Sequence, residues 1–491
     1  MTHPPSILTR LVVLGIVLAP PSPLRGDLLY FKGGGRAQVA ARVEGDSVIV
    51  DAPMGKLAFL RSDFLKLVPG FDPRGAWPAR REAVRDAPAE AQFREAWWAL
   101  ENGLPREAVA LLRDLHVGHP DHQPTARMIA AYDRLCVPIE DPDLSSLTPA
   151  LAQVGRPHRT AHLLLYHEGP PEEVAERAEM LEDVVSAYQL ILTGWGLDLK
   201  PPAHRLPSIY LKSRANYLEL LGQQGSAAFA TTRGYYHPTL RVVFAYDTRG
   251  DEAQARSRSR IAAVQRQVDG FETMLSRVPE SGRVLIEATG ADGSRRVTKA
   301  EAGRVLDDKV RDLRRLRMLA DLDWRAIDLG IAAHETIHQL AVETGLVRRF
   351  DDLPTWLHEG LAAQFEVVRG GRWAGFRRAH DLRLPDARKL SPPPPLEPLV
   401  RGRGFGPGYD RDRYAAAWSL VDFLANEAPV GFVSFLEILR TSPPKLADDR
   451  GDRAWNAFKL SLTAPTSDLQ RDWHRHLNDR RTPLEEEAPP P

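Results

Sequence analysis

Cysteine occurs once in 491 residues, at Cys136, which excludes an internal disulfide framework and any zinc module built from cysteines. Any metal site must therefore be made from His, Asp and Glu. Lysine is also scarce, with ten against 55 arginines, but acids balance the basic residues at 65 each. The resulting zero net charge removes a global electrostatic case for nucleic-acid binding. The glycine-rich stretches lack the lysine and the order of a phosphate loop, so no nucleotide site is expected. Long hydrophobic runs are missing too. The longest near the N-terminus, Leu11–Ala19, has nine residues, about 14 Å of helix, too short to cross a hydrocarbon core of roughly 30 Å. With 43% hydrophobic and 26% charged residues, the composition is globular rather than disordered.

What is present begins with that short run. Arg10 supplies a positive flank, so residues 1–26 read as an export signal, although Pro20 and Pro21 follow Ala19 and no A-x-A triplet precedes Asp27. The expected location is exported, periplasmic or extracellular, with no integral membrane segment after signal removal. The length calls for two to four domains. Residues 27–72 alternate in the strand manner between glycine-containing turns, which predicts a small β-barrel of four or five strands. Pro69–Pro78 reads as a linker. Residues 87–136 change to a helical period (Phe93, Trp97, Leu100, then Ala108, Leu111, Leu115) and predict a helical pair, tetratricopeptide-like, acting as a spacer. Residues 150–480 form the third unit. It opens with strands at 162–167 and 207–211 around a helix at 171–195, then a hairpin at 234–246. It continues mostly helical from 252 to about 348, at 354–369, and from 411 onward. Arginine runs at 256–260 and 311–317 read as solvated helix faces, and the tail 481–491 as disordered. The predicted fold class is multidomain α+β.

The chemistry is concentrated in His334-Glu335-Thr336-Ile337-His338. On a helix, positions i and i+4 lie about 40° apart, so both imidazoles leave one face, as two nitrogen ligands of one zinc require. Glu335 then points beside the metal, where a carboxylate can take a proton from water. Gly345 is placed to stop the helix. Twenty residues on, Pro354-Thr355-Trp356-Leu357-His358-Glu359-Gly360-Leu361-Ala362 starts a second helix whose Leu357, Leu361 and Phe365 stripe would pack toward the first. Glu359 there completes a His₂Glu set with a fourth position left for water. Gly360 would permit close helix approach. A metzincin continuation would need Gly and His where the chain has Ala341 and Thr344, so that arrangement is excluded.

The pair HETIH and PTWLHEGLA resembles the gluzincin metallopeptidases, particularly the peptidase-MA-like group and its bacterial relatives of unknown function. The match is strong over about 325–370 and supported by element order over roughly 158–480. The resemblance implies Zn²⁺ held by His334, His338 and Glu359, with Glu335 as general base. It also implies a tyrosine on a downstream helix hydrogen-bonding the oxyanion, for which Tyr414 in Tyr414-Ala415-Ala416-Ala417-Trp418 is the candidate. His358 could itself bind metal in place of Glu359, and Tyr235, Tyr236 and His237 could line the cleft. The expected activity is zinc-dependent hydrolysis of a peptide or protein substrate, with partner proteins on the N-terminal modules. The rivals are a binding or scaffold protein with a structural or vestigial zinc site, and a hydrolase of non-peptide amides.

Overall fold

The computed structural model describes residues 26–287, 294–390, 394–405, 410–442 and 450–488. The export signal expected at 1–26 lies outside them except for Gly26. From Asp27 the alternation does produce strands, but no closed barrel exists among the described residues. Six strands form two antiparallel three-stranded sheets. One orders Arg36–Val39, Asp27–Phe31 and Phe64–Val68; the other orders Ala41–Glu44, Ser47–Ala52 and Gly55–Leu60. Their inner faces bury Leu29, Phe31, Val48, Val50, Phe59 and Phe64 against Met318, which comes from a helix nearly three hundred residues away. Leu319 and Leu322 of that helix pack against the same small core.

The Pro69–Pro78 stretch is not a linker throughout. Asp72 accepts from the Arg74 backbone N–H at 3.1 Å and starts a helix, Pro73–Ala83. The helical pair is three helices, Ala89–Glu101, Pro105–Gly118 and Gln123–Leu135. They do not stand apart: Ala99, Leu100, Leu112 and Met128 share one buried cluster with Leu181, Val184 and Leu192 of the helix Pro171–Gly194. That helix is buried all round from Ala187 to Thr193, the pattern of a core helix rather than a surface one.

A five-stranded sheet follows the order Gly234–His237, Val242–Tyr246, Leu206–Leu211, Leu163–His167, His158–Arg159. The three inner strands are parallel and both edges antiparallel. Across the Gly234–His237 edge runs a helix of 45 residues, Lys299–Glu343. A capping box of Thr298 and Glu301 starts it, and Gly345 at φ +74° ends it, as its position in the sequence suggests. Before it come a helix, Glu252–Ser276, and a hairpin of Arg283–Glu287 with Ser294–Thr298, which interrupts the mostly helical stretch expected from 252 to about 348. Arg315 in this long helix is buried, not solvated. It donates to the Gly34 carbonyl and to Asp312, and Arg311 pairs with Asp63 at 3.1 Å, so the 311–317 run fastens the helix to the N-terminal strands.

The second motif helix is shorter than expected, Thr355–Ala363, because a small hairpin, Val368–Arg369 with Arg372–Trp373, turns at Gly370-Gly371. Helices Arg411–Glu427, Pro429–Thr441, Arg450–Ser461 and Thr466–Asp479 complete the C-terminal half. Residues 481–488 of the expected disordered tail are ordered on the N-terminal sheet. Thr482 caps a turn of helix, Tyr30 donates to the Leu484 carbonyl at 2.9 Å, and Lys66 pairs with Glu487 at 2.9 Å. No single helix among the described residues is long and apolar enough to cross a membrane.

Candidate metal centre

The long helix changes character along its length. Between Asp328 and Ala341 every residue except Ile331 is buried, because the five-stranded sheet, the helix Pro171–Gly194 and the motif helix Thr355–Ala363 enclose it. His334 and His338 leave one face of this stretch with ring centroids 4.7 Å apart. Glu359 arrives from the motif helix. That helix packs on the histidine helix, its Leu357 and Leu361, with Phe365 just beyond its end, sharing a buried cluster with Ala333 and Ile337, and it packs still more extensively against Arg411–Glu427. A Cβ at Gly360 would lie 2.6 Å from the Ala417 carbonyl oxygen and 2.5 Å from Val421 Cγ2, so this seat requires glycine.

The three side chains converge. His334 Nε2 lies 2.9 Å from Glu359 Oε2, 3.1 Å from His338 Nε2, and His338 Nε2 lies 3.6 Å from Glu359 Oε1. A tetrahedral zinc with bonds of roughly 2.0–2.1 Å separates its ligand atoms by about 3.3 Å, which these distances bracket. Two imidazole nitrogens and a carboxylate oxygen pointing at one spot is an arrangement that a cation satisfies. Among the described residues this is the group of His, Cys, Asp and Glu able to hold a metal ion.

Charge supports the same conclusion. Burial works against a charged His334, but Glu359 and Glu366 outweigh it and raise the imidazole to about 10. Burial likewise opposes a charged Glu359, yet His338 and His334 hold its carboxyl far below the ordinary range. The pocket demands positive charge. A divalent cation held between His334 Nε2 and Glu359 would meet the same favourable field.

Glu335, one residue on, is not part of the converging group. Its Oε2 accepts the Tyr236 backbone N–H at 2.8 Å, from the edge strand crossing the helix, and burial pushes its carboxyl up. Tyr414 also reaches the centre: its ring stacks over His334 at 6.4 Å and 22°. Burial, reinforced by Glu359 and Glu335, raises its phenol, so it stays a protonated donor. His358 does not join the ligands. Its ring stacks on Phe350 at 4.4 Å and stands 6.0 Å from His338. Of the proposed cleft residues, Tyr236 is buried beside Phe350 at 5.8 Å. Tyr235 stacks on Phe229, and His237 Nδ1 accepts from Leu240 N–H within the turn. Thus Tyr236 contributes to the site through its amide, and the Tyr235 phenol, packed on Phe229, still feels the Glu335 charge.

Sequence reasoning missed Glu366, His380 and Arg383. Glu366 Oε2 lies 3.4 Å from His334 Nδ1, Oε1 lies 3.6 Å from His380 Nε2, and Arg383 grips both oxygens at 2.7–3.0 Å. Burial opposes charge on Glu366, but Arg383 and the two histidines hold it well below the ordinary carboxylate range. The signal available was a glutamate directly after Phe365, the last residue of the expected apolar stripe, a place where a charge needs a partner.

In comparison with known proteins, the profile of a family described as a protein of unknown function, DUF1570, matches residues 328–445. That span contains both histidines, Glu335, Glu359, Glu366 and Tyr414. No curated protein and no solved structure matches. The centre therefore lies within a stretch similar to the DUF1570 family of proteins of unknown function.

Proposed function

We propose that the chain is a zinc-dependent metallopeptidase of the gluzincin type, acting on peptide or protein substrates. The observation that carries the reading is the convergence of His334, His338 and Glu359 with a separate carboxylate, Glu335, beside them and held off by the Tyr236 amide. A purely structural metal site has no use for that second carboxylate. When bound, zinc supplies a Lewis acid and lowers the pKa of water into the neutral range. The chain's own groups do the rest. Glu335 takes the proton of the attacking water and passes it to the leaving amine, and its raised affinity for protons suits that transfer. Tyr414 stays protonated and can donate to the oxyanion that develops on the scissile carbonyl. The run Leu11–Ala19 supports action in a periplasmic or extracellular setting.

The test is metal analysis of the purified chain together with a broad peptide-library assay, repeated on Glu335→Gln. About one zinc per chain and cleavage abolished by Glu335→Gln supports the proposal. Zinc without cleavage of any peptide, unchanged by Glu335→Gln, would instead mark a structural site. Cleavage of simple amides but not peptides would move the activity to non-peptide substrates.

A further inference from the structure

Glu366 has no part in the chemistry above, yet it is among the most heavily coordinated side chains at the centre. It lies beyond the end of the motif helix at Ala363, so no helical periodicity delivers it. Arg383 donates to it through two nitrogens, Nε to Oε2 at 3.0 Å and Nη2 to Oε1 at 2.8 Å. His380 faces it with Nε2, because its Nδ1 accepts the backbone N–H groups of Leu382 and Arg383 at 3.1 and 3.3 Å. A neutral ring whose Nδ1 accepts must carry its proton on Nε2. On the other side, His334 turns Nδ1 toward Oε2 at 3.4 Å, within ion-pair reach but without a completed hydrogen bond, while its Nε2 points at Glu359 and His338. The circuit closes through Tyr414. Its ring is stacked over His334, and the Arg383 guanidinium carbon lies 5.5 Å from that ring's centre.

We infer that Glu366, locked by Arg383 and His380, is the positioning carboxylate of the metal centre: it keeps the proton of His334 on Nδ1 and leaves Nε2 bare for the metal. Arg383 sets the Tyr414 ring through the same guanidinium. The inference rests on the metal-site reading. Its physical basis is that a ligating imidazole whose second nitrogen donates to a carboxylate has one tautomer, one ring orientation and a more basic lone pair. The planar fork of Arg383 fixes the carboxylate in a way that a point charge cannot.

The experiment uses the full chain, stripped of metal and titrated with zinc against a chromophoric chelator, alongside thermal unfolding of each metal-free protein. The variants are Glu366→Gln, Arg383→Lys and Arg383→Met, with Glu335→Gln as the control that touches no ligand. Glu366→Gln and Arg383→Met are expected to weaken zinc binding by about 10–100-fold. Arg383→Lys is expected to recover only part of that, with Glu335→Gln at the parent's affinity. Zinc affinity within threefold of the parent in Glu366→Gln would overturn the inference. So would a loss that merely follows a lowered melting temperature of the metal-free variant, since that is scaffold damage. If Arg383→Met does not fold, the near-isosteric Glu366→Gln decides. A parent chain that takes up no zinc overturns the metal-site reading and this inference together, whereas a zinc-binding parent with indifferent variants overturns the inference alone.

Discussion

Replacing Gly234 by alanine tests whether the edge strand truly holds Glu335. Gly234 sits in a regular strand, so alanine is not strained by its backbone there. The strain comes from the helix beneath. The new Cβ would lie 2.7 Å from Ile331 Cγ2 and 2.8 Å from Glu335 Cγ. Carbon atoms settle at about 3.5–4.0 Å, so strand and helix must part by roughly 1 Å. Both clashing carbons are close to the helix backbone, and neither can swing away cheaply. A displacement of that size stretches the bond from the Tyr236 N–H to Glu335, now 2.8 Å, to beyond hydrogen-bond range. Overpacking of this kind costs about 1–3 kcal/mol of stability. A base misplaced by about 1 Å loses on the order of a hundredfold in turnover. None of the clashing atoms belongs to His334, His338 or Glu359, so zinc content should not change. The assays are denaturant unfolding, metal analysis, and turnover of a peptide found in the library screen. Full activity at parental stability would refute the argument, and so would activity lost only in step with zinc.

Three further outcomes are expected. Glu335→Gln should keep zinc while turnover falls by about 10²–10⁴-fold, whereas His334→Ala or His338→Ala should lose the metal; metal analysis with steady-state rates separates the two. A chain cut to residues 145–480 should be insoluble, because Trp97 and Met128 press against Gly194, where a Cβ would meet them at 2.6 and 3.0 Å, and all three helices share one core; a soluble, zinc-binding fragment would show the core to be divisible. The buried His162 and the half-buried Glu182, 2.6 Å apart, give a pH dependence of their own. Burial opposes charge on both, but each outweighs it for the other, so His162 is raised and Glu182 lowered. The stability from the raised histidine is complete below about pH 6.5 and fades as pH climbs through its folded value. That from the lowered glutamate is complete above about pH 4.3 and fades as pH falls through its folded value. The gap in urea midpoint between parent and Glu182→Gln should therefore be widest between about pH 4.3 and 6.5 and narrow at alkaline pH; a flat gap would contradict it.

The candidate metal centre is legible where helical geometry alone sets position. His334 and His338 share a face by spacing, and the motif starting at Pro354 names its own helix and its glutamate. What spacing cannot show is delivery by irregular backbone. Glu366, His380 and Arg383 come from a turn, a loop and the start of a short helix, and only the folded chain brings them around His334. The N-terminal strands teach the same lesson in another form. Alternation identifies which side chains face inward, but not which strand pairs with which, so a barrel and two facing sheets look alike in sequence. Arg315 was misread because charge is ordinarily a mark of solvent, and its partner, the Gly34 carbonyl, lies in a distant segment.

The long helix has a consequence for length. Arg315 and Met318 engage the N-terminal strands, and His334 and His338 form the cluster, all on one uninterrupted rod. The two stations are about 28 Å apart at 1.5 Å per residue, and their angular phase is fixed by the number of residues between them. Deleting a single residue between Leu319 and Ala333 would preserve every functional side chain. It would nonetheless turn the imidazole pair by about 100° relative to the strands, so that either the strands or Glu359 must let go. Loops absorb such edits at small cost; this shaft cannot. Its residue count is as much a part of the site as its histidines.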